Sequence, residues 1–225
     1  MTRFRFLALA APVLAAAVVL SGCGAASRPA ASVGGHPISL TSFQDDLNHF
    51  RDNKEFRSVY QQSVGQPLAH TDGTVDARWS ATWLSELVYL RLTDDMFSQR
   101  NLRTTPADEQ AAQQQADQMF GTAAVFNAFP KSFRTSLVDK LARTEAVIRD
   151  VTKGATDQTT AQTQLSNTLL SSLRKAGVSV NHRFGTAVLT SQGFQIRPPT
   201  APTVKEERGT TTTTGTPLLG TTPSG

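Results

Sequence analysis

The chain is 225 residues long, 39% hydrophobic and 18% charged, with a formal net charge of +4. Its single cysteine excludes an intramolecular disulfide, and its four histidines, far apart and without a second cysteine, leave no metal-ligand spacing. No Lys/Arg cluster with interleaved aromatic residues occurs, so nucleic acid is not an expected partner.

Residues 1–22 read as a leader. Arg3 and Arg5 supply a positive start, and Leu7 to Leu20 form an apolar stretch too short and alanine-rich for a comfortable membrane span. The stretch ends in Leu20-Ser21-Gly22-Cys23, which resembles a bacterial lipobox, where the cysteine receives lipid and becomes the first mature residue. The alternative is an ordinary secretory signal with an incidental cysteine. The position of the only cysteine argues for the lipobox, and hence for Cys23 as an anchor rather than a catalytic thiol. Two or three acyl chains give stable attachment, at about 0.8 kcal/mol per buried methylene. The expected location is the extracytoplasmic face of the cell membrane, an oxidising compartment. Loss of Arg3 and Arg5 with the leader lowers the formal charge from +4 to +2.

Residues 23–30 read as a short tether, and residues 31–197 as one domain large enough for its own core. Ala31 to Ile38 predicts a strand, a Gly34-Gly35 turn and a second strand. Ser39 or Thr41 then caps a helix with Phe43, Leu47 and Phe50 on one face. Asn53 to Gly73 mixes polar residues with Tyr60, Val64 and Leu68 and is expected to be irregular, with one helical turn. A long helix follows from Val75 to Asn101, striped by Trp79, Trp83, Leu87, Leu90 and Phe97 and widened by Leu84 and Val88.

Thr105-Pro106 predicts a helix start. The Gln- and Ala-rich helix it opens carries large apolar residues only at Met119 and Phe120, so it is expected on the surface or projecting. Pro130 opens a helix with Phe133, Leu137, Leu141, Ile148 and Val151 in register. A last helix, Thr159 to Ala176, ends at Gly177, and Val178 to Gly185 returns to strand-like alternation. Two-residue strands at the two ends of a helical domain need each other, so the segment near Val33 is expected to pair with that near Val180. Residues 198–225 form a Thr/Pro-rich tail with too few apolar residues to offset ordering entropy and are expected to be disordered.

No catalytic constellation emerges. His36, His49, His70 and His182 stand far apart without metal-site spacing; His36 and His49 read as surface or packing residues, and His70 to Gly73 as a turn without calcium-loop spacing. Asp45-Asp46 and Asp94-Asp95 are the tight carboxylate pairs. Neighbours on a helix point about 100° apart, so these read as solvated faces. Trp79 and Trp83, with Met96, Phe97, Met119 and Phe120, are candidates for an apolar polypeptide-binding surface, against the alternative that they fill the core.

Three segments together resemble the N-terminal domain of SurA/PrsA-type chaperones, in the form seen in actinobacterial lipoproteins. Ala31-Ser-Val-Gly-Gly-His-Pro-Ile-Ser-Leu-Thr-Ser-Phe43 is similar to that family's opening strand-turn-helix, with Gly34 in place of the usual Asn. Thr104-Thr105-Pro106-Ala-Asp108 is similar to a helix start of the family. Val178-Ser-Val-Asn-His-Arg-Phe-Gly185 is similar to its closing strand, with His182 in place of Pro. The resemblance implies a mainly α, multi-helix domain closed by short N- and C-terminal strands. It also implies ATP-independent binding of unfolded or exported polypeptides. The signature of the parvulin domain is absent, so no isomerase activity, cofactor or metal is expected. The alternative is a dedicated interaction lipoprotein of a cell-envelope assembly; a hydrolase is a third reading.

Overall fold

The computed structural model describes residues 28–190 and 193–199; the leader, Cys23 and the Thr-rich tail lie outside them. Strands β1 (Ala31–Val33) and β2 (His36–Ile38) form a hairpin. Gly34 and Gly35 both hold positive φ, 57° and 81°, as a two-residue turn of this hand requires. Helices α1 (Leu40–Asp52), α2 (Lys54–Val64), α3 (Ala77–Gln99), α4 (Pro106–Met119), α5 (Ala123–Asn127), α6 (Lys131–Val151) and α7 (Gln158–Ala176) follow. After them come β3 (Val178–Val180), a single 3-10 turn at His182–Phe184, β4 (Thr186–Leu189) and β5 (Phe194–Arg197). The domain is thus mainly helical, with seven helices and two small antiparallel sheets among the described residues.

The two ends of the domain close on each other as expected. β1 is the central strand of the order β2-β1-β3, with Ala31 opposite Val180 and Val33 opposite Val178. Ala31 and Val33 point into the core while Ser32 faces outward to Ser179, so the period of two decides which face is buried.

Two expectations are corrected and a third is narrowed. The stretch after Asn53 is not irregular, because α2 runs for 11 residues. Asn53 ends α1 and also caps α2, its Oδ1 accepting from the Phe56 amide at 2.9 Å, and Phe56 and Tyr60 bury one turn apart. Of the two placements expected for the Gln-rich helix α4 the structure shows the surface one: it keeps an exposed glutamine face and does not project. Asp108, Ala112, Ala116 and the flanking Phe120 make a stripe spaced by four, and these small side chains let α4 lie along α6. The chain beyond Val180 is not one strand: it turns at His182–Phe184 and then forms the β4–β5 hairpin against α3.

α3 runs through the middle of the core. It packs against α6 on one side and carries β1 and β5 on others. Phe50 of α1 lies at the centre of an aromatic cluster, with ring centroids 4.9 Å from Trp83, 5.3 Å from Trp79 and 5.7 Å from Phe133. Among the described residues no helix is long and apolar enough to cross a membrane.

Candidate functional site

A cleft with an apolar floor lies between β2, α1, α3 and α6, and a larger one, of about 510 Å3, lies between α1, the start of α3 and the His182–Phe184 turn, lined by Leu47, Val75, Arg183 and Phe184. The first has a volume of about 380 Å3, within the range of small-ligand clefts. Ile38, Phe43, Leu87 and Leu90 form the floor; Asp46, Arg91, Asp94 and Lys140 form a charged rim. A smaller cavity of about 70 Å3 shares Asp46, Leu87, Leu90 and Lys140 and continues to His49, Trp83 and Phe133. Residues from 37 to 140 meet here, because the β1–β2 hairpin delivers its end onto the seam between α3 and α6.

Asp46 is the chemically distinctive group. Its carboxylate accepts from the Trp83 indole N–H at 3.0 Å. Burial raises its pKa above 3.8, opposed by the Trp83 hydrogen bond and by the charges of Lys140 and His49, with Asp45 adding to the rise. Glu86 and Glu145 also have raised pKa values through burial, with Asp108 adding to the rise at Glu145, but neither lines this cleft.

A chain of ion pairs crosses the rim. Asp139 and Asp94 hold Arg143 at 2.9 and 2.7 Å. Arg91 lies 3.8 Å from Asp94 and 3.0 Å from Asp95, and Asp95 meets His36 Nδ1 at 3.0 Å. The Arg143 guanidinium has its pKa raised, first by its hydrogen bond to Asp94. Asp94 and Asp95 are therefore not a solvated face, and neither is Asp46; Arg91 stands at helical spacing from Asp94 and Asp95, but Arg143, His36 and Trp83 are partners that sequence spacing does not reveal. Asp45 remains exposed.

The candidate polypeptide-binding residues are drawn inward. Trp83, Met96 and Phe120 are buried, and Trp79, Phe97 and Met119 are half-buried against the same core. Trp79 touches Phe50 and Phe56 edge-on or tilted, and Phe97 lies under Arg143 at 5.7 Å. None of the six lines the cleft floored by Ile38, Phe43, Leu87 and Leu90, although Trp83 lines the smaller cavity behind it and Met96 a separate cleft beside His36 and Asp95. The large apolar side chains exposed among the described residues are Val64 and Leu189, 41% and 38% exposed. Of the residues missed from sequence, Ile38, Phe43, Leu87, Leu90 and Lys140, three carried a signal: Leu87 and Leu90 belong to the α3 stripe and Phe43 to the apolar face of α1.

The histidines do not converge. His36 pairs with Asp95, His49 lies edge-on to Phe133 at 5.6 Å, and His70 accepts the Gly73 amide through its carbonyl in a tight turn. Among the described residues no three His, Cys, Asp or Glu side chains are grouped to hold a metal ion. No protein-family model, curated protein or solved structure matches this chain.

Proposed function

We infer that the protein is a lipid-anchored, extracytoplasmic binder of polypeptides, chaperone-like, ATP-independent and without isomerase activity, built on a SurA N-terminal-like helical domain. The observation that carries this reading is the cleft between β2, α1, α3 and α6. An extended peptide presents alternating apolar side chains and a regular row of amides and carbonyls. A floor of Ile38, Phe43, Leu87 and Leu90 beneath a rim of both charges suits such a segment without demanding one sequence. The lipobox at Cys23 supports placement at the membrane, where exported chains emerge.

A second reading, a dedicated partner in an envelope assembly, is favoured by one specific feature. With exposed large apolar side chains limited to Val64 and Leu189, the surface offers little to a generic unfolded chain outside the cleft.

The test follows light scattering of an aggregating model protein titrated with the chain from Cys23 to Gly225. Suppression near stoichiometric ratios, lost when Ser42→Trp fills the cleft from its exposed edge, supports chaperoning. Absence of suppression by the folded protein sinks that reading and leaves the dedicated partner.

A further inference from the structure

Charge is segregated along this chain. Every Asp and Glu of residues 28–199 lies between Asp45 and Asp157, while Arg28, Arg174, Lys175, Arg183 and Arg197 lie in the flanking segments, which hold no carboxylate. Folding brings three of those cations to one end. The Asn181 amide donates to the Ala30 carbonyl at 2.9 Å, and Asn181 Nδ2 reaches the Pro29 carbonyl at 3.5 Å. These bonds set Arg28 beside the His182–Phe184 turn, which carries Arg183. Gly185 then sits directly against the Arg197 carbonyl, where Thr186 and Arg197 pair across the β4–β5 hairpin.

Arg28, His182, Arg183 and Arg197 are all exposed, and none has an ion-pair partner among the described residues. The Arg183 guanidinium lies over its neighbour Phe184 at 5.3 Å, which steadies it without neutralising it. Elsewhere Arg51, Arg78, Arg91, Arg100, Arg143 and Arg149 are each matched to a carboxylate, while Arg57, Arg103, Arg134 and Arg174 stand apart from one another without an ion pair among the described residues. Arg183 also lines the cleft of about 510 Å3 with Leu47, Gly73, Thr74, Val75 and Phe184, and the carboxylates that flank it, Asp72 and Asp76, are held within their own segment. Asp72 accepts from the amide and hydroxyl of Thr74, and Asp76 accepts from Tyr60 and caps α3.

We propose that this end of the domain, formed by Arg28, His182, Arg183 and Arg197, lies against anionic lipid headgroups. The inference rests on the reading of Cys23 as a lipid anchor. Cys23 precedes Ala30 by seven positions, so even a fully extended chain holds Ala30 within about 25 Å of the anchor. The end of the domain that receives the tether is therefore the end kept nearest the membrane, and it carries the charge that an anionic leaflet attracts. Screening confines the attraction to about 8–10 Å, so only cations on that end contribute fully. Each basic residue near such a surface strengthens partitioning about fivefold.

The test uses the chain from Cys23 to Gly225 without lipid, floated with vesicles of phosphatidylglycerol and phosphatidylcholine in equal parts, or of phosphatidylcholine alone, at low salt. Wild type is expected on the anionic vesicles only. The triple variant Arg28→Gln, Arg183→Gln, Arg197→Gln should partition about a hundredfold less. A variant with the same change of charge elsewhere, Arg103→Gln, Lys131→Gln, Lys153→Gln, should lose less than about fivefold. Equal loss in both triples, or no preference of wild type for anionic vesicles, overturns the proposal. Failure of the anchor reading is seen separately, as absence of acyl mass on Cys23 when the full chain is expressed in a bacterial host and recovered for mass spectrometry.

Discussion

The two ends of the domain are held together by different physics. Around Phe50 the structure relies on apolar volume: six aromatic rings lie with centroids within about 6 Å of it, and the side chain is fully buried. At the strand end the elements are three or four residues long, and α3 secures them through polar contacts. The Ile196 amide donates to Ser85 Oγ at 2.8 Å and the Phe194 amide to Tyr89 Oη at 3.1 Å. One region therefore depends on filling space, the other on exact backbone placement, and substitutions should separate them.

The largest effect is expected at the first. Phe50→Ala removes the ring at the centre of the cluster and should cost about 3–5 kcal/mol, read as a fall in the urea midpoint. A loss below about 1 kcal/mol would show that the surrounding rings collapse into the space.

Gly185→Ala comes next. Gly185 has φ of 130°, and a Cβ there would strike the Arg197 carbonyl. Backbone strain of this kind costs about 1–3 kcal/mol. Its signature should be local, with faster amide exchange in β4 and β5 and unchanged exchange in α6. Uniform acceleration would mean the two ends unfold as one unit.

Ser85→Ala is a finer cut. It leaves the Ile196 amide without its acceptor, at about 1 kcal/mol, and should raise exchange at Ile196 before it lowers global stability. Exchange at Ile196 equal to wild type would show that another group takes over the amide.

The smallest effect is read against pH. Burial raises the Asp46 pKa, so the native state holds that proton more tightly than the unfolded chain does. Ionising it therefore costs stability as pH rises from 3.8 through the raised value, and below 3.8 the cost is absent. Asp46→Asn keeps an acceptor for Trp83 and removes the charge. It should gain on wild type in denaturant titrations above that window and gain nothing below it. A variant weaker than wild type at neutral pH would mean that the charged hydrogen bond to Trp83 outweighs the burial cost.

Large side chains at helical spacing made α1, α3 and α6 legible in the sequence, and Gly34-Gly35 and the Val33 and Val180 segments made the closing sheet legible. What escaped was written in small or polar residues. The Asn53 side chain starts a helix that its polar surroundings disguise, and an alanine stripe at Ala112 and Ala116 buries α4 without any large residue. β4 and β5 depend on acceptors from α3 that no local pattern encodes. The cleft was illegible for a related reason, since its lining spans residues 37 to 140 and exists only after α1, α3 and α6 have packed. The tryptophans were visible as a pair, but their direction is set by Phe50, a residue on another helix.

The pairing of β1 with β3 joins residues 31–33 to residues 178–180, separated by nearly the whole domain. A chain delivered N-terminus first, from a ribosome or through a membrane pore, exposes β1 long before its partner exists. Until Val178 to Val180 emerge, the β1–β2 hairpin has an open edge, and the buried side chains of Ala31 and Val33 lack one of their covers. The last strand added to that sheet thus acts as a latch on completeness: a chain ending before Val178 contains the residues of all seven helices yet leaves the β1 edge without its partner.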